Sequence, residues 1–380
     1  MNAKIIPFNR AYLSTYEEKY LREALLSRNF SGDGVFTKKC HHFFEQRYAF
    51  SKALLTTSCT DALEMCALLL NIQAGDEVIL PSYTFVSTAN AFLIRGAKLV
   101  FADSELDHPN MDIHSLESLI TPKTKAIVPV HYAGMACDMN LLRTLAKEHS
   151  LAIIEDAAQA IEAQYNGKYL GTLGDLGAFS FHITKNIVCG EGGLLAINDP
   201  RFKDRAEVLR EKGTNRSAFF RGEVDKYTWV DVGSSFLPSD LNAAVLWAQL
   251  ENIDNIQNQR MAVWNRYHEG LGSLLEKGIL LPLVKEGVIH NAHTYYLVCR
   301  NLDQRTRLIG TLKEFGIQTT FHYISLHSSP FFKDKHDGRT LPQSDRFTDH
   351  LLRLPLYPDL HNSDQDMIIE KILHFFKFES

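Results

Sequence analysis

Seven short apolar runs, at residues 53–57, 77–81, 98–102, 125–130, 151–156, 177–181 and 193–197, constrain the fold of this chain more than any other feature. They are rich in Val, Ile, Leu and Phe and are continuous rather than alternating in polarity. A strand covered on one face alternates, because successive side chains point to opposite sides; a continuous apolar run implies cover on both faces. Helical patterns separate the runs, so the expected fold is α/β with a mainly parallel seven-stranded sheet. Ligands of such sheets sit beyond the carboxyl ends of the strands.

Between residues 239 and 275 apolar positions recur at helical spacing, predicting one long helix or two that leave the sheet. Beyond it come a strand-like run at 294–299, a helix over 303–315, a strand-like run at 318–322, a polar loop at 333–339 and an amphipathic helix over 363–376. This pattern fits a smaller α+β domain. The expected division is a large domain over 1–250 and a small C-terminal domain over 251–380. No internal repeat or low-complexity tract interrupts either.

Lys and Arg total 40 against 45 Asp and Glu, a net charge of −5, and they are spread along the chain. No electrostatic footprint for nucleic acid results, so an anionic ligand must be met by a local site. The six cysteines lack CxxC spacing and lie in unlike contexts, which argues for reduced thiols rather than a disulfide framework or a zinc site. No metal set is expected. The opening residues carry no apolar signal core, and no apolar run approaches the roughly 18 residues of a membrane span. A cytoplasmic protein with no membrane partner is expected.

Two segments carry the chemistry. Ile153-Ile154-Glu155-Asp156 ends a buried run on a carboxylate, which is costly there unless a cation answers it. Ser180-Phe181-His182-Ile183-Thr184-Lys185-Asn186 places a lysine in an apolar and hydroxyl-bearing stretch before the glycine-rich Cys189-Gly190-Glu191-Gly192-Gly193. A desolvated lysine has a lowered pKa and becomes a nucleophilic amine. Taken singly, Asp156 reads as a capping residue and Lys185 as a surface lysine with a buried stem. Taken together they supply what pyridoxal 5′-phosphate (PLP) chemistry requires, a carboxylate for the pyridinium nitrogen and an amine for the Schiff base.

A third segment, Ser58-Cys59-Thr60-Asp61, follows a strand and opens a helix, so free N–H groups near residues 59–61 make a phosphate seat. A plain N-cap by Thr60 or Asp61 is the competing reading. Phe85 is placed to stack on a flat cofactor or simply to join the core. His182 and His131 read as core or supporting histidines.

The chain resembles the DegT-type sugar aminotransferases, PLP enzymes of fold type I, over nearly its whole length. The likeness is carried by Phe30-Ser31-Gly32-Asp33-Gly34, Thr57-Ser58-Cys59-Thr60, residues 81–90, Pro129-Val130-His131-Tyr132-Ala133-Gly134, Glu155-Asp156-Ala157-Ala158-Gln159, residues 180–186, and Glu211-Lys212-Gly213-Thr214-Asn215-Arg216. The resemblance implies Lys185 as the residue that carries the cofactor, Asp156 as the pyridinium partner, Gln159 near the phenolic oxygen and Phe85 as the stacking ring. It gives the phosphate to Cys59, Thr60 and Ser180. Many members add an asparagine from the neighbouring subunit at a Gly-x-Asn position; here Gly233-Ser234-Ser235 stands, making Ser235 the corresponding candidate.

The resemblance further implies a homodimer with active sites at the subunit interface. L-Glutamate is the expected amino donor and TDP-4-keto-6-deoxy-D-glucose the expected acceptor, giving TDP-4-amino-4,6-dideoxy-D-galactose for lipopolysaccharide or another surface polysaccharide. The opposite C4 configuration and a 3-keto nucleotide sugar remain open. Related sugar dehydratases carry histidine at the lysine position, and a non-catalytic relative is expected to lose Lys185 or Asp156; both residues are present. Lys212, Arg216, Arg221, Lys226 and Tyr227 form a polar stretch able to reach a diphosphate or a partner subunit, or to be simply a solvated loop.

Overall fold

The computed structural model describes residues 5–379. The seven expected runs form one sheet: β1 (Lys52–Thr56), β2 (Glu77–Pro81), β3 (Lys98–Ala102), β4 (Thr124–Ile127), β5 (Ala152–Asp156), β6 (Leu176–Ser180) and β7 (Gly193–Ile197). Their order across the sheet is β1-β7-β6-β5-β4-β2-β3. All neighbouring pairs are parallel except those of β7, which runs against both β1 and β6.

The continuous apolar runs are explained by cover on both faces. Alternate residues of one strand feed opposite cores: Leu54, Val78, Leu80, Leu195 and Ile197 enter one cluster with the helix Cys59–Leu69. Leu55 and Leu194 enter a second, where the helices Val35–Tyr48 and Asp240–Glu251 pack, and Ile79, Ile127 and Ile153 a third. Each such side chain contributes about 1.5–3 kcal/mol when fully buried. A polar residue on either face loses that and adds a desolvation cost.

The reversal of β7 decides what stands at the functional edge. Six strands present their carboxyl ends there, and β7 presents its first residue, Gly193. Gly193 pairs with Thr56 on one side and Ser180 on the other, so the ends of β1, β7 and β6 are level.

The expected helical stretch after residue 239 is two helices, Asp240–Glu251 and Ile253–Leu271, joined at Asn252. Ser239 caps the first by accepting a hydrogen bond from the Asn242 N–H. Further on, β8 (Tyr295–Val298) pairs antiparallel with β9 (Leu351–Leu354), backed by the helices Leu302–Glu314 and Asn362–Lys377. The run at 318–322 is not a strand. It makes an isolated exchange between Thr320 and Arg353 on the free edge of β9 and a bond from the Gln318 N–H to the Ile6 carbonyl, and none of its residues is buried. The helix Pro342–His350 and β9 itself carry no clear periodic signal in the sequence.

A division of the chain near residue 250 remains our proposal. One apolar cluster gathers Trp264, Tyr267, Leu297, Leu312, Leu352 and Ile372 together with Ile6 from the N-terminal segment. Leu326, Phe332 and Leu341 instead return to the core of the sheet. Among the described residues no helix is long and apolar enough to cross a membrane, and all six cysteines are free thiols.

Candidate active site

A cavity of about 380 Å³ lies at the level edge of the sheet. Its walls bring together seven residues expected from the sequence: Cys59, Thr60, Phe85, Asp156, Gln159, Ser180 and Lys185. They come from positions up to 126 residues apart only because each lies at a strand end or just beyond one.

Asp156 is the last residue of β5 and is 5% exposed. Its Oδ2 accepts from the Thr88 hydroxyl at 2.7 Å and its Oδ1 from the Ala158 N–H at 3.2 Å. Burial nevertheless pushes the carboxyl above the usual aspartate range; those two bonds and the Lys185 charge offset it only in part. The chain thus holds an acidic group whose ionised form lacks a full set of partners.

Lys185 follows β6 in a turn where its own N–H donates to the His182 carbonyl at 2.9 Å. Its ammonium makes no hydrogen bond or ion pair among the described residues. Burial pulls its pKa below the usual lysine range, with Cys59 and Asp156 acting in the opposite sense. Lysine and aspartate face one cavity with their charged forms disfavoured by the same desolvation.

The expected phosphate seat lies at the start of the helix Cys59–Leu69. Its N-cap is Ser58, whose hydroxyl accepts from the Asp61 N–H at 3.1 Å; neither Thr60 nor Asp61 caps it. Asp61 instead accepts from the Thr57 hydroxyl. The N–H groups of Cys59 and Thr60 stand in the first turn, where no helical carbonyl reaches them. Gly193 permits the close approach that completes this corner. A Cβ there would lie 2.3 Å from the Ser58 carbonyl carbon and 2.4 Å from the Cys59 nitrogen.

Gln159 is held at both ends of its amide: its Oε1 accepts from the Ala133 N–H at 2.7 Å and its Nε2 donates to the Tyr323 hydroxyl at 3.0 Å. Phe85 is 55% exposed at the mouth, its ring 6.1 Å from that of Tyr323, so it is not a core residue. His131 is buried and pairs with Glu155 at 2.9 Å, as a supporting histidine. Glu155 also accepts from the N–H groups of Gly171, Leu173 and Gly174, which fixes the loop before β6. His182 lines the cavity rather than the core, held by Thr184 at 2.8 Å.

Ser235 lies elsewhere. It is exposed, outside the cavity of its own chain, with its backbone bridged to Glu211. The polar stretch beside it is partly self-paired, Arg216 with Glu211 and Arg221 with Glu207 and Glu223. Sequence reasoning missed Thr84, Thr88, His322 and Tyr323, which also line the cavity. Thr84 and Thr88 lie in the quoted 81–90 motif, whereas His322 and Tyr323 come from beyond the helices that leave the sheet and carry no local signal.

The donor set fits PLP. A buried, under-partnered carboxylate suits a protonated ring nitrogen, an unpartnered amine suits covalent attachment, and a helix N-terminus opened by a glycine suits a phosphate. Sheet and site together define a fold type I, lysine-based PLP enzyme.

Comparison with known proteins gives the particular family. The family model described as the DegT/DnrJ/EryC1/StrS aminotransferase family matches residues 12–373, and the chain belongs to that family. It is 34% identical over 340 residues to an uncharacterized protein of Methanocaldococcus jannaschii, covering 87% of each chain. Among solved structures it is similar to the aminotransferase TlmJ from Streptoalloteichus hindustanus, with 28% identity, 99% and 100% of the two chains covered and a TM-score of 0.91. Spr1654 from Streptococcus pneumoniae in its PLP-form is 26% identical, with 98% and 99% covered and a TM-score of 0.90. The protein is a PLP-dependent sugar aminotransferase of the DegT family.

Proposed function

We propose that this enzyme transfers the amino group of L-glutamate to the 4-keto carbon of TDP-4-keto-6-deoxy-D-glucose, giving TDP-4-amino-4,6-dideoxy-D-galactose. The observation that carries amino transfer is the Lys185 amine, unpartnered and depressed in pKa, facing the same cavity as the buried Asp156. The choice of sugar rests on the motif resemblance along the chain.

Bound PLP supplies the electron-withdrawing ring that makes a C–H beside the transferred amine acidic. Asp156, held in place by Thr88 and Ala158, would keep positive charge on the ring nitrogen favourable. The N–H groups of Cys59 and Thr60, with the Ser180 hydroxyl, would hold the phosphate. Lys185 would take and return the proton through its Nζ, a role that a pKa lowered by burial favours. Phe85 covers one side of the mouth, and the Gln159–Tyr323 pair presents polar atoms beside the ring.

The proposal includes a cytoplasmic homodimer that serves surface-polysaccharide biosynthesis, with Ser235 reaching the phosphate of the partner's site. Its exposed position on a loop outside its own cavity is compatible with that role. The test is to incubate the enzyme with the keto sugar and glutamate and to assign C3 and C4 of the product by NMR. A C4 amine of the galacto configuration supports the reading. A 3-amino product or the epimer moves the substrate assignment, and no amine transfer from any donor sinks the catalytic reading.

A further inference from the structure

Asn186, the residue after Lys185, is 4% exposed and decides the protonation of a histidine in the wall beside it. Its Nδ2 donates to the Asn291 carbonyl at 2.8 Å and reaches Gln257 Oε1 at 3.4 Å, and a carbonyl can only accept. The amide is therefore fixed with Oδ1 on its other side, 2.8 Å from Nδ1 of His293. Oδ1 also only accepts, so Nδ1 carries the proton of the ring. Asn291 holds this arrangement: its side chain donates to the carbonyls of Gln159 and Ile161 at 2.8 and 2.7 Å and accepts from the His293 N–H at 3.1 Å. Gly134 allows that approach, since a Cβ there would lie 1.9 Å from Asn291 Oδ1.

A second cavity, of about 250 Å³, adjoins the first, and Lys185 and His293 both line it. Among the described residues no carboxylate lines that cavity. Burial, together with the charges of Lys185, Arg260 and Arg353, pulls the His293 pKa well below the usual histidine range. A neutral ring with its proton on Nδ1 leaves Nε2 as a bare acceptor, and Nε2 makes no hydrogen bond among the described residues. The same three cations decide between two roles. A ring that resists protonation this strongly is a poor store for a proton, but it stays an acceptor at pH values where an ordinary histidine would charge.

We propose that His293 is a positioning residue for Lys185, its Nε2 accepting a hydrogen bond from the Lys185 amine whenever that amine is not attached to the cofactor, and so fixing where the amine points. This rests on the reading that Lys185 is the residue that carries the cofactor. An acceptor favours the charged form of a lysine, so His293 acts in the same sense as Cys59 and Asp156, against the burial and the Arg353 charge that lower the Lys185 pKa.

The test uses His293→Asn, whose amide nitrogen can still reach Asn186 while nothing stands in place of Nε2, and His293→Gln, which returns an acceptor there. In the full-length apoenzyme the Lys185 pKa, read from the pH dependence of its acetylation by peptide mass spectrometry, should fall by about 1–2 pH units in His293→Asn and recover in His293→Gln. The acid limb of holoenzyme turnover should move in the same direction and order, which a merely structural residue would not cause. An unchanged or raised Lys185 pKa in His293→Asn overturns the proposal. Should either variant fail to fold, 15N NMR of the wild-type histidines decides: His293 with Nδ1 protonated and Nε2 bare supports the proposal, and the reverse tautomer or a charged ring refutes it. Borohydride reduction of the PLP-loaded wild type that labels a peptide without Lys185 refutes the reading of that lysine, whereas a label on Lys185 with an unmoved pKa refutes only the role of His293.

Discussion

Replacing Asp156 with asparagine separates the two roles of that side chain. The amide oxygen can still accept from the Ala158 N–H, and the amide nitrogen then faces Thr88, whose hydroxyl can turn because it also contacts Thr84 at 3.0 Å. Shape and local bonding therefore survive, and what is removed is the charge. Breaking a buried charge pair by neutralising one partner costs about 3–5 kcal/mol, which corresponds to a turnover loss of roughly 10²- to 10⁴-fold. The stability effect has the opposite sign without cofactor. Burial raises the Asp156 pKa, so the ionised carboxylate opposes folding once the pH exceeds its unfolded value, and Asp156→Asn should leave the apoenzyme at least as stable at neutral pH. The assays are turnover at saturating PLP and thermal unfolding with and without PLP. Near-normal turnover, or an apoenzyme clearly weakened at neutral pH, refutes the reasoning.

Three further outcomes follow from the geometry. Gly193→Ala should weaken PLP binding and lower the melting temperature, at a cost of about 1–3 kcal/mol as for overpacking, because its Cβ meets backbone atoms of Ser58 and Cys59 rather than a movable side chain; wild-type PLP affinity in an equilibrium titration tells against the seat. The depressed pKa of Lys185 means that the folded apoenzyme releases this proton earlier than the unfolded chain. Stability from this group rises with pH between the folded value and the usual lysine value, and Lys185→Met should flatten that rise in denaturant titrations. Glu155→Gln leaves an amide nitrogen against the N–H donors of Gly171, Leu173 and Gly174 or His131. A loss of about 1–3 kcal/mol or more is expected, read as a lowered unfolding midpoint.

The sequence by itself determined the layer and picked out Lys185 and Asp156 as candidate site residues. Two-sided burial forces continuous apolar runs, a local signal because burial acts on each residue separately. Asp156 at the end of one run and Lys185 just beyond another each pass singly for a cap or a surface lysine, and only the two together point to the chemistry. Tertiary structure alone decided the direction of β7, which reads like its parallel neighbours but brings Gly193 against Ser58 by pairing with Thr56 and Ser180. It made Ser58 the helix cap, because only the turn out of β1 sets which hydroxyl reaches the Asp61 N–H. It left the 318–322 run without a strand, tied at Thr320 to Arg353 but with none of its residues buried. Arg353 is the clearest case: in sequence it is one cation within Leu351-Leu352-Arg353-Leu354, and its lack of an acceptor is a property of everything packed around it. A partner's absence is non-local, and only the packed chain can show it.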